Sequence, residues 1–452
     1  MIIAKYILRV VWTLFLPNFK SYIDFYYVIM EKSCKQGVRC LLTFFLLLGM
    51  LPSWAEEKDP EYITVSGVVK DARTKQKLSF ASIYVLGSSV GTVANADGAF
   101  SIKVNNILEA DTIVISYIGY TSYALPIGKN DLTGVDILLE KRSILLDEAI
   151  VSYVDPLVIL KEAMKRREDN YPETSNLLNG FYRETIQKRR TFISVSEAVV
   201  DVFKTPYKES IEDDYVQIYK GRQLMSQRAS DTLLVKLLGG PHLSIFVDVA
   251  KNPEFTLNSD MYTDYKYQME IPVSIEDRPQ FVISFKPQIE LPYALNYGKY
   301  YIDQETYTFS RAEIYLSMED INKASQAILR KKPAGLRFKP EEVSYVITYR
   351  EENGRSYLYY VRNEVHFRCD WKRKLFSTNY RIVSEMVTTD RREFNKVFRL
   401  KVSDYQQIFR PNQIFSDEVH HFFDENYWKG YNIIEPTESL DVGIKRLIRR
   451  QN

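Results

Sequence analysis

The sequence predicts a mainly β protein, a small β-sandwich followed by a larger antiparallel sheet with a few helices, on three observations. Over residues 63–120, short runs rich in Val, Ile, Tyr and Phe alternate apolar and polar side chains and close on Gly, Asn or Asp, the pattern of half-buried strands joined by tight turns. Aromatic residues make up 13% of the chain, with 33 Tyr, which suits pleated, half-buried surfaces better than helices. Further on, alternating segments recur in pairs around turn residues, most clearly at Asn353-Gly354.

The chain has 452 residues, 45% of them hydrophobic and 26% charged, an ordinary globular composition with length for two or three cored domains. Lys and Arg number 60 against 58 Asp and Glu, a net charge of +2, which gives no electrostatic case for binding nucleic acid or an anionic membrane surface.

From Met30 the chain reads as an export signal: Lys32, Lys35 and Arg39 are the basic region, 41–51 the apolar core, and Ser53-Trp54-Ala55 a small-x-small cleavage site. The core is shorter than the roughly 20 apolar residues a spanning helix needs. The stretch 1–29, apolar and Tyr-rich, reads either as an over-long start ahead of Met30 or as an anchor. Cys34 and Cys40 precede the apolar core, so no Cys stands where a lipoprotein would be acylated. Cleavage at Ala55 leaves Cys369 alone, unable to form an internal disulfide; in HFRCDW it reads as a half-buried strand residue rather than a nucleophile. The domains expected are a leader at 1–55, with 30–55 the working signal, a sandwich at 56–151 and a β-rich domain at 152–452.

Within the sandwich, Gly67 opens the first strand and 71–76 forms a polar turn. Leu78, Phe80, Ala81, Ile83 and Val85 supply an inward-facing strand, and Gly87 and Gly91 bracket a turn of positive φ. Asn95-x-Asp97-Gly98 is a hairpin turn, since the Glu that would close a calcium loop is missing. The elements Gly67-Val68-Val69 with Asp71, Ala81-x-Ile83, Gly91-Thr92, Asp97-Gly98-x-Phe100, Ser116-Tyr117-Ile118-Gly119-Tyr120 and Leu146-Asp147-Glu148-Ala149-Ile150-Val151 together resemble the carboxypeptidase-regulatory-like domain, a transthyretin-like sandwich. The resemblance implies an accessory binding or folding module, the zinc chemistry of such peptidases lying in a separate domain. That module also precedes the plug and barrel of Gram-negative outer-membrane receptors. Here a helix follows it, the chain is short for such a barrel, and it ends in Arg449-Arg450-Gln451-Asn452 without a terminal aromatic, so a transporter of that kind is not expected.

Asp155 as N-cap and Pro156 at the first helical position start a linking helix over 156–169, stopped by Tyr171-Pro172. Strands are expected at 180–185, 191–204, 215–220, 265–271 and 281–285, with hairpins over 298–316, turning at 303–305, and over 343–367. Between them, 231–252 reads as two short helices split at Gly239-Gly240-Pro241. A C-terminal helix at 439–449 carries Leu440, Ile444, Leu447 and Ile448 on one face. The hairpin GKYYIDQETYTFSRAEIYL resembles the strand pairs of curved half-barrels in periplasmic lipoprotein carriers. With the sandwich, NGFYRE and the tail 426–434, the chain resembles uncharacterised Gram-negative envelope proteins of this arrangement, implying a curved sheet or half-barrel for the second body.

Chemistry is hard to place. Four histidines, His242, His366, His420 and His421, begin no zinc motif, and the strip 417–425 with His421 and Asp424 reads as a solvated acidic segment rather than a metal site. Glu184 with Glu197 or Glu313, near Ser194 and Ser196, reads as solvated polar strand positions rather than a catalytic pair. No catalytic, cofactor or metal residue is assigned. Tyr357 and Tyr359, at alternating strand positions, and Trp428 form the candidate aromatic binding surface, although this spacing also describes a core stripe.

The expected function is a non-enzymatic exported envelope protein, periplasmic or associated with the outer membrane, acting as a binding or structural module. Its partner is an envelope protein, glycan or lipid, and its mature chain has no transmembrane helix. The alternatives are a periplasmic carrier of lipid or another apolar ligand, and an accessory protein of a peptidase or receptor system.

Overall fold

The structure is a computed structural model that describes residues 62–108, 110–142, 154–228, 231, 239–329, 335–371, 377–394, 408–419 and 428–449. The expected leader lies outside them, as do the motif at 146–151, the first of the two helices expected within 231–252, and His420, His421 and Asp424.

Seven strands build the sandwich: β1 (Tyr62–Asp71), β2 (Ser82–Val85), β3 (Gly91–Val93), β4 (Ala99–Asn105), β5 (Thr112–Ser116), β6 (Tyr123–Pro126) and β7 (Leu132–Leu139). They form two sheets, β4-β1-β7 and β3-β2-β5-β6. β1 alternates half-buried and buried positions throughout, which places Val65 and Val69 in one core with Ile83, Val85, Phe100 and Ile102. Asp71 closes the strand with its own side chain: Oδ1 accepts from the amides of Thr74 (2.6 Å) and Arg73 (2.9 Å), and Oδ2 accepts from the Tyr120 hydroxyl (2.7 Å). The Thr74 amide foremost, then Tyr120, hold its carboxyl well below the usual range. The turn at Asn95 forms as expected, with Oδ1 accepting from the amides of Asp97 (2.8 Å) and Ala99 (3.0 Å) and Gly98 at φ 72°.

The larger body is one antiparallel sheet of eleven strands that does not close into a barrel. Its strands are β8 (Ser175–Lys188), β9 (Thr191–Lys204), β10 (Tyr215–Met225), β11 (Tyr265–Ile275), β12 (Arg278–Pro287), β13 (Asn296–Asp303), β14 (Phe309–Leu316), β15 (Leu336–Glu352), β16 (Arg355–Trp371), β17 (Thr378–Phe394) and β18 (Ile408–Phe409). In space they run β11 to β17, then β8, β9, β10 and β18, two meanders joined where β17 pairs with β8. Asn353 and Gly354, at φ 54° and 75°, make the tight turn between β15 and β16. Thr306, expected as strand, lies in a longer turn: Asp303 Oδ1 accepts from the amides of Glu305 (3.0 Å) and Thr306 (2.9 Å), delaying β14 to Phe309.

Asp155 caps α1 (Pro156–Lys165), accepting from the Leu157 amide at 2.9 Å. The helix expected over 156–169 breaks at Arg166 and resumes as the single turn α2 (Arg167–Asn170). The remaining α-helices among the described residues are α3 (Gly240–Phe246), α4 (Ile321–Ile328), α5 (Phe415–Glu418) and α6 (Glu438–Ile448). In α6, the helix expected at 439–449, Leu440, Ile444 and Leu447 pack on Phe192, Val195 and Leu224 of β9 and β10.

The excursion between β10 and β11 is fixed by buried charge. Lys204 bridges Asp214 (3.0 Å) and Asp248 (2.9 Å), Lys251 pairs with Asp214 (2.5 Å), and each of these side chains is at most 2% exposed. Tyr207 and Tyr349 donate to Asp248 at 3.0 and 2.7 Å, so two ammoniums and two carboxylates balance within a closed hydrogen-bonded set.

The sandwich and the sheet belong to one unit, Pro60–Asn452. Arg350 donates to the carbonyls of Ser88 and Ser89, its guanidinium 4.0 Å from the Tyr84 ring centroid. The Tyr359 hydroxyl lies between the carbonyls of Thr92 and Ile83, and the Ser89 hydroxyl donates to Asp390 at 2.6 Å. Phe80 stacks on Tyr360 at 6.1 Å. Gly91 is required by this docking rather than by the positive φ expected of it, which only Gly87 adopts (73°): a Cβ on Gly91 would meet the Tyr359 hydroxyl at 2.7 Å. Gly91→Ala should therefore cost about 1–3 kcal/mol of stability. Tyr359→Phe should cost about 1 kcal/mol, and in urea unfolding the double variant should lose clearly less than the sum of the two. Strict additivity would show that the two groups do not meet.

Candidate binding pocket at the junction

β8, β9 and β10 place three charges in one row. Arg183 lies directly opposite Glu197 on one side, and Arg222 lies opposite Glu197 on the other. Arg183 Nε donates to Glu197 Oε1 and Arg222 Nε to Oε2, each at 2.7 Å. Burial pushes the Glu197 carboxyl up, and the two guanidiniums more than reverse that, so it sits below its ordinary value. Arg183 also donates to the Ile434 carbonyl at 2.7 Å, which draws the segment after Trp428 across the row.

The sandwich closes the other side. Lys103 of β4 donates to the carbonyls of Trp428 (3.0 Å) and Tyr431 (3.1 Å), with its ammonium 5.6 Å from the Tyr62 ring centroid. The Asn432 carboxamide clamps the Lys103 backbone, accepting from its amide (2.7 Å) and donating to its carbonyl (3.1 Å). Asn95 and Asp97, the turn residues, hold the end of the same segment: Asn95 donates to the Pro436 carbonyl (3.0 Å) and Asp97 accepts from the Glu438 amide (2.9 Å) at the start of α6.

These parts enclose a cleft of about 380 Å³, lined by Tyr62, Lys103, Arg183, Glu197, Arg222 and Trp428 together with Lys429, Ile433, Glu435 and Pro436. Burial raises the Glu435 carboxyl and lowers the Lys103 ammonium. Trp428 meets Phe181 edge to face at 5.4 Å and carries the Arg222 guanidinium 5.5 Å from its ring centroid.

The candidate aromatic surface is thus corrected. Tyr357 and Tyr359 are each 1% exposed and Trp428 is 9% exposed. Tyr359 is spent on docking the sandwich, and Tyr357 lies beneath the Arg391 guanidinium; Trp428 alone borders the cleft. The charged lining, Lys103, Arg183, Arg222 and Glu435, escaped the sequence reading. Arginine and glutamate inside the apolar strand runs GFYRE and SVSEAVV are the signal that locates Arg183 and its partner Glu197.

Residues 65–151 match the CarboxypepD_reg-like domain. The resemblance carried by the glycine and aspartate turns of the sandwich is therefore borne out, and Lys103, Asn95 and Asp97 are residues of this domain. No curated protein matches the chain. Among solved structures, it is similar to a DUF1329 family protein from Desulfovibrio piger at 11% identity and TM-score 0.25, covering 54% of this chain and 96% of that one. It is also similar to MucB in complex with MucA(peri), at 11% identity and TM-score 0.17, covering 54% and 100%. A Pseudomonas aeruginosa MucA/MucB complex stands at 11% identity and TM-score 0.17, covering 52% and 98%.

The carboxylates weighed as a catalytic pair do not meet. Glu184 lies opposite Ser196 and Glu197 opposite Arg183, so successive positions put the two glutamates on opposite faces of β8 and β9. Glu313 pairs with Arg311 on β14, four strands away. Cys369 is buried among Phe338, Phe367 and Tyr380, and that burial foremost, then Asp370, pushes its thiol up to about 11.

Glu184 instead stands in a buried polar row with Ser196, Ser384 and Asn363, in register across four neighbouring strands. Burial raises its carboxyl to about 7, against which the Tyr182 hydroxyl acts weakly. Between the unfolded value of about 4.3 and that folded value, the native state keeps a proton the unfolded chain has lost, so stability falls as pH rises through this window. Glu184→Gln should leave stability unchanged near pH 4 and raise it by on the order of 3 kcal/mol at pH 8. Urea unfolding at both pH values checks this; an equal effect at each would refute the assignment.

Proposed function

We propose that the protein is an exported, non-enzymatic binding module of the cell envelope whose ligand site is the junction cleft. The observation that carries the reading is the convergence of the CarboxypepD_reg-like domain, three strands of the large sheet and the segment after Trp428 on one cleft with charged walls. Its volume lies within the range of small-molecule sites. Docking holds the domain as a fixed wall, consistent with an accessory binding role. The leader read at 30–55 supports export, to the periplasm or the outer membrane. No helix among the described residues is long and apolar enough to cross a membrane.

The protein carries its own reporter. In the mature Trp371→Phe variant, Trp428 is the remaining tryptophan, and its emission should respond saturably to at least one fraction of a cell-envelope extract. The bound compound should be recovered chemically unchanged. Absence of any responding fraction, or recovery of an altered product, overturns the reading.

A further inference from the structure

A second cleft, sharing no residue with the junction, opens between the β12–β13 connection and the start of α4, with a volume of about 380 Å³. Its wall is aliphatic where Leu291 and Ile321, half-buried, meet buried Leu295. Ser317, Glu319 and Lys323 interrupt that wall with hydroxyl, carboxylate and ammonium groups, and Tyr293, 53% exposed, stands beside them.

The sheet extends this cleft with aromatic surface. Tyr297 of β13 and Tyr315 of β14 are direct cross-strand partners whose rings stack at 5.4 Å and 22°. Leu295 and Ser317 lie two positions further along, where the Ser317 amide donates to the Leu295 carbonyl at 2.9 Å, so the ring pair abuts the cleft. Tyr297 remains 43% exposed. Tyr293 and Tyr297 thus concentrate rigid, amphipathic contact surface at one place.

The architecture narrows what can bind here. β13 and β14 are each paired on both sides, which leaves no strand edge for an extended peptide, so recognition rests on side chains. An aliphatic wall broken by charged and hydroxyl groups does not suit an acyl chain. It suits a ring that carries an apolar face and a rim of hydroxyls. We propose that Tyr293, Tyr297 and the adjoining cleft bind a neutral glycan, its sugar rings on the tyrosines and its hydroxyls bonded to Ser317, Glu319 and Lys323. The bonds to Glu319 and Lys323 are charge-assisted, which repays the hydration the sugar gives up. This site is independent of the junction cleft, and its failure leaves that reading standing.

The test is calorimetric titration of the full mature chain with maltohexaose, cellohexaose and chitohexaose. At least one should give saturable heat. Tyr297→Ala and Tyr293→Ala should each weaken that binding by about tenfold, the loss of one ring contact. Both positions are exposed, so each variant should unfold in urea like the parent. Weaker binding in either folded variant supports the site. Absence of saturation with all three sugars, or parental affinity in both variants, overturns it.

Discussion

Four main-chain carbonyls of the sandwich, those of Ile83, Ser88, Ser89 and Thr92, meet two side chains of the sheet, Arg350 and Tyr359. Recognition of backbone rather than side chain fixes the position of a module without constraining most of its surface residues. The ring of Tyr84 against Arg350 and that of Phe80 against Tyr360 exclude water from these bonds and make them count. With the sandwich held in this way, Lys103 can reach the carbonyls of Trp428 and Tyr431, and the cleft acquires its third wall.

Two buried charge sets in the chain follow different rules. Around Lys204, Lys251, Asp214 and Asp248 every charge has a counter-charge, and tyrosine hydroxyls satisfy the remaining acceptors, which is how ionic groups tolerate an apolar interior. Around Glu197 a single buried carboxylate serves two guanidiniums. The first arrangement fastens an excursion to the sheet; the second lines a cavity.

The sandwich was legible because its turns depend on local chemistry: Asp71, Asn95 and Gly98 bond to neighbours within a few positions, and the pattern survives in one dimension. The hairpin at Asn353-Gly354 was legible for the same reason. The cleft was not. Lys103, Arg222 and Glu435 are far apart in the chain, and only the long-range docking brings them together. Tyr357 and Tyr359 misled because alternation in a strand identifies a face without saying what covers it. Here the docked sandwich covers Tyr359 and the Arg391 guanidinium covers Tyr357, turning an apparent binding strip into interior.

The sheet is stitched through its middle. β8 precedes every other strand of the sheet in the chain, yet one of its two neighbours is β17, about two hundred positions downstream, so the central ladder closes after a long loop of chain has been gathered. Until then β8 presents an unpaired edge whose residues are mostly buried in the finished sheet, open to wrong pairing within the chain or with another copy. An architecture with a late central seam therefore makes assembly slow and vulnerable, with the two meanders exposed until they find each other.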